Sequence, residues 1–144
     1  MLLPLARSSA AEVSLANHLA LVACKGSGGS AYLVNELVRL VYVTYYVQEA
    51  GYGETDLLAY SRAEAALNRC HSRAETAGIW RIDPPDVPLF EEILRQADRQ
   101  LERVPCHHLL DARERVEKFA RSSLRSPLPT HLSASDSGSS NPAR

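Results

Sequence analysis

Apolar residues recur along this chain at steps of three and four, the period of an α-helix, between Ser9 and Arg121, and glycine or proline separates one periodic segment from the next. Ser9 followed by Glu12 forms a capping-box signature and predicts a helix start. Leu15, Leu19 and Val22 then recur at helical spacing beside Ala16, Ala20 and Ala23, and Lys25 with Gly26 supplies a stop. The second segment runs from Ala31 to Ala50. Leu33, Leu37, Leu40 and Val47 share one stripe and Val34, Val41 and Tyr45 the next, so apolar side chains cover most of the circumference. A helix of that kind belongs in the middle of a domain. The β-branched run VYVTYYV also suits a buried strand; the segment's length, the terminal Gly51 and the lack of a partner strand favour helix.

Thr55 is the expected cap of a third helix reaching about Ala77, with Tyr60, Ala63, Leu67, Cys70 and Ala74 on its apolar face and Gly78 at its end. IWRIDPP reads as an irregular or briefly extended piece. Asp86 and Pro88 then open a fourth helix with Phe90, Ile93, Leu94, Ala97 and Leu101 as its stripe. Pro105 divides it from a fifth, marked by Leu109, Ala112, Val116 and Phe119. Glu114 with Lys118 and Glu117 with Arg121 are oriented i to i+4 pairs, the mark of a solvated face. Eight of the last twenty-three residues are serine and three are proline, which predicts disorder. The expected architecture is all-α: a compact bundle of about five helices over residues 9–121, after a flexible N-terminus at 1–8 and before a disordered tail at 122–144.

Composition narrows the function. With 144 residues, 45% of them hydrophobic and 23% charged, the chain has enough apolar surface for one core. Sixteen basic against seventeen acidic side chains argue against a surface built wholly for nucleic acid or anionic lipid. Cys24, Cys70 and Cys106 are odd in number and widely spaced, so free thiols are expected. MLLPLARSS lacks the pattern of a signal peptide, and LVYVTYYV is too short to cross a membrane. A cytoplasmic protein without membrane contact is the expectation.

Cys70–His71 and Cys106–His107–His108 raise the question of a metal. Structural zinc sites space their ligands on a turn, whereas adjacent helical residues point about 100° apart. Cys70 also lies on an apolar stripe, where a cysteine acts as a small hydrophobe. A small metal-binding protein is therefore only a second alternative. No acidic residue has a histidine three positions later, so the di-metal bundle signature is absent. The loop CKGSGGS lacks the order of a phosphate-binding loop, and Cys106 has no recognisable orienting acid. No catalytic residue and no cofactor is assigned.

Two surfaces remain. Arg62, Arg69 and Arg73 share one side of the third helix and are the candidates for nucleic-acid contact; interspersed glutamates favour a mixed-charge surface instead. All six tyrosines lie between residues 32 and 60. Tyr42, Tyr45 and Tyr46 are candidates for self-association or a partner protein, with core packing as the competing explanation.

The blocks NELVRLVYVTYYVQEAGYG and AEAALNRC resemble small helical bacterial proteins of uncharacterised function, some of them labelled Fis-like transcriptional regulators. That resemblance implies a DNA-binding helix-turn-helix. In the Fis pattern this unit is C-terminal, whereas here the last helix is followed by a serine-rich tail. The expected function is a non-enzymatic interaction or regulatory protein, with a DNA-binding regulator as the alternative.

Overall fold

Five α-helices form, each where the apolar period predicts one: α1 (Arg7–Lys25), α2 (Ala31–Glu49), α3 (Leu57–Ala77), α4 (Val87–Arg103) and α5 (Cys106–Ala120). A single 3₁₀ turn, Pro84–Asp86, precedes α4. The structure, a computed structural model, describes residues 3–122 and 126–129, and among these there is no strand. None of these helices is long and apolar enough to cross a membrane.

The nearly all-round apolar character of α2 has the predicted consequence. It packs against all four other helices, while α4 packs against α1, α2 and α3. Val34, Leu37, Val41 and Val47 of α2 meet Phe90, Ile93 and Leu94 of α4 and Tyr60 of α3 in one core, each at most 2% exposed. The β-branched run is helical throughout. Ser30 caps α2 by accepting from Leu33 N at 3.2 Å. Gly78 ends α3 with φ at 69°, a left-handed position that suits glycine.

Boundaries differ where tertiary contacts override local signals. The Ser9–Glu12 box is not used: α1 begins two residues earlier, with no side-chain cap. Its leading segment is tied down instead, since Cys106 N donates to Leu3 O at 2.8 Å and Pro4 bridges Pro105. Residues 3–8 are thus docked or helical, against the flexible N-terminus expected. Asp56, not Thr55, caps α3, accepting from Leu58 N at 3.0 Å. Thr55 is buried and bonds to Gln96. Glu114 pairs with Lys118 as expected, but Glu117 reaches across to Arg39 at 3.0 Å rather than to Arg121.

Most of the expected disordered tail lies outside the described residues. Within 126–129 the chain is packed: Leu128 is 5% exposed in the core cluster, and Ser126 Oγ donates to the Glu64 carboxylate at 2.5 Å. The packed unit therefore extends past the boundary expected at residue 121.

Candidate functional site

The two Cys–His clusters occupy unlike environments. Cys70 is fully buried, and its neighbour His71 turns edge-on to Trp80 at 5.4 Å. Cys106 is half-buried at the start of α5, while His107 and His108 stack on each other at 4.1 Å and His108 rests on Tyr52 at 5.3 Å. Among the described residues no three His, Cys, Asp or Glu side chains are placed to hold one metal ion.

Cys24, left without a role by its sequence context, lies within electrostatic reach of Cys70. Burial first, and the charge an ionised Cys70 would carry second, push the Cys24 thiol up to about 11, with a hydrogen bond from the Ser30 backbone opposing them. Burial also raises the Cys70 thiol, against the opposing charge of Arg73. Neither forms an appreciable thiolate near neutral pH, and neither is accessible. An aromatic disulfide reagent at pH 7 is expected to label Cys106 alone in the folded protein and all three thiols after denaturation. Rapid native labelling of two or more would contradict this packing.

Tyr42, Tyr45 and Tyr46, the candidate interface residues, are covered by their own chain, at 8%, 5% and 8% exposure. Tyr42 meets Phe119 of α5 at 6.1 Å and donates its hydroxyl to Glu64 at 2.6 Å. Tyr45 packs between Tyr46 and Tyr60, and Arg115 stacks 3.9 Å over the Tyr46 ring. Burial raises all three phenols above their ordinary value, for Tyr42 with the Glu64 hydrogen bond as the next cause. Core packing, the competing explanation, accounts for these rings; they leave almost no surface for a partner.

The arginine row on α3 is largely committed within the chain. Arg69 bonds to Asp86 at 2.9 Å and Arg73 to Asp83 at 2.8 Å, fastening α3 to the connection before α4. Arg62 makes no ion pair with any described residue, and it is exposed.

Among the described residues, a contiguous apolar stripe is left open on α1. Its inward side carries Ala20, Leu21 and Cys24, held against α2 and α4. Asp98 of α4 fixes the rotation by accepting from Ser14 Oγ at 2.7 Å and pairing with His18 Nε2 at 2.8 Å. On the opposite side, Leu15, Leu19 and Val22 are 60%, 56% and 64% exposed. Spaced by four and three, they form one stripe. Flanking it are the small residues Ala11 and Ala16. The sequence shows this stripe but not its orientation, because Val13, Ala20, Leu21 and Cys24 make a second apolar face on the opposite side.

Known protein families, curated proteins and solved structures offer no match to this chain.

Proposed function

We propose that this chain is a non-enzymatic helical interaction protein that associates with a second copy of itself through the outer face of α1. The supporting observation is the stripe of Leu15, Leu19 and Val22, three large aliphatic side chains left in solvent on a helix whose other side is already packed. A contiguous apolar stripe in water is a cost that association removes.

A second copy is the occupant because the stripe is self-complementary. An antiparallel pairing about the level of residues 18 and 19 sets Leu15 against Val22 of the other chain, and Leu19 against its own mate. Ala11, Ala16 and Ala23 beside them allow close helix approach. The near-zero net charge adds little repulsion between copies.

Sedimentation equilibrium at micromolar concentration is expected to show a dimer. Leu19→Glu places one carboxylate per chain in the apolar contact, and about 3 kcal/mol of lost association raises the dimer Kd roughly a hundredfold. Because Leu19 faces solvent in the single chain, the helical circular dichroism and melting of the dissociated variant stay intact. A wild-type monomer at high micromolar concentration, or an unaltered dimer in the variant, would overturn the reading.

A further inference from the structure

The last helical turn of α4 carries Arg99 and Arg103, four residues apart and therefore roughly 6 Å from each other along one face. Both line an open cleft of about 280 Å³ whose other wall is the α2–α3 connection, with Gly51, Gly53 and Glu54. That connection is not a loose loop. Gln100 Nε2 donates to Tyr52 O at 2.8 Å, Gln96 Oε1 accepts from Glu54 N at 2.9 Å, and Gln48 Nε2 donates to Thr55 O at 2.6 Å. Three glutamines from α2 and α4 thus hold the backbone at a fixed distance from the arginines.

Gly53 is packed so closely that a Cβ would stand 2.9 Å from Gln48 Oε1 and 3.0 Å from Gln96 Cδ. Its own N–H donates to no described group. The arginines are similarly uncommitted. Arg99 has one long contact, 3.4 Å to Gln96 Oε1, and Arg103 makes no ion pair or hydrogen bond with any described residue. Arg39, Arg69 and Arg73, by contrast, have carboxylate partners. Glu54 is the acid in the cleft, and it is within ion-pair distance of neither guanidinium.

We propose that this cleft binds a small phosphate-bearing anion. Arg99 and Arg103 line one wall and Gly53, whose N–H donates to no described group, lines the other, and a tetrahedral oxyanion has enough acceptors to engage all three. Two positive charges suit a dianion. The open cleft has room for free phosphate or a small phosphate ester. Glu54 opposes an anion across the opening and tempers affinity.

The test is a two-dimensional amide NMR titration of the full chain with inorganic phosphate and with glycerol 3-phosphate, against sodium chloride at matched ionic strength. The expected result is a saturable shift of the Gly53 amide. Arg103→Gln and Arg99→Gln each raise the fitted Kd about tenfold or more, the scale of one charge-assisted pair. Both side chains are exposed, so the rest of the spectrum is preserved. Glu54→Gln changes affinity the opposite way, tightening it. Tighter binding of the ester assigns the site to esterified phosphate, and equal binding assigns it to the free ion. Chloride reproducing the shifts, or phosphate shifts indifferent to Arg103→Gln and Arg99→Gln alike, overturns the site.

Discussion

Alanine at position 29 is expected to destabilise the protein by about 3 kcal/mol or more, the upper end of what overpacking costs. The added Cβ would lie 1.8 Å from Trp80 O and 3.0 Å from the carbonyl carbon behind it. Both obstacles are backbone, so no rotamer change relieves them. Separating the two segments would pull on Ile82, which is 1% exposed and donates to Cys24 O at 2.8 Å. The requirement is for space, since Gly29 is not held at positive φ. Gly26→Ala is the matched control, because a Cβ there meets nothing within 4 Å. Urea unfolding of both variants checks the contrast. A Gly29→Ala protein within about 1 kcal/mol of wild type would mean that the connection yields, and that the close approach to Trp80 is not structural.

The other large effect belongs to Tyr60. Its side chain is 0% exposed, meets Tyr45 edge-on at 5.6 Å, and donates its hydroxyl to Gln48 Oε1 at 2.6 Å. Tyr60→Ala removes a whole buried ring and is expected to cost about 4 kcal/mol. Tyr60→Phe keeps the ring and strips Gln48 Oε1 of its donor, for about 1–2 kcal/mol. Gln48 is the same residue that holds Thr55 O, so the smaller change also loosens the α2–α3 connection. Faster amide hydrogen exchange at residues 51–56 in Tyr60→Phe, beyond that of the rest of the chain, is the corresponding signature. Equal losses in the two variants would show that the hydroxyl, rather than ring burial, dominates.

The glutamines show where reading residues one at a time stops. Gln48, Gln96 and Gln100 look like polar surface positions. Gln96 and Gln100 are instead 4% and 3% exposed, because the carbonyls and N–H groups of an irregular connection need partners once buried. Only the fold brings residues 44–55 and 96–100 together. The same holds for Leu128, an unremarkable leucine in a serine- and proline-rich segment that finds a place in the core.

What the sequence by itself determined is the number, order and approximate span of the helices, the central position of α2, and the glycine stop after α3. These follow from local periodicity and backbone preference, which are properties of neighbouring residues. It also excluded the spacing of familiar metal and phosphate motifs. What only the tertiary structure decided is which apolar face is covered. Tyr42, Tyr45 and Tyr46, conspicuous along the chain, are spent on the core by α3 and α5, while Leu15, Leu19 and Val22 are left outside. The physical reason is that α1 is apolar on two opposite sides, with Leu15, Leu19 and Val22 on one and Val13, Ala20, Leu21 and Cys24 on the other. Local pattern cannot choose between them, and contacts across more than eighty residues, from Ser14 and His18 to Asp98, set the rotation.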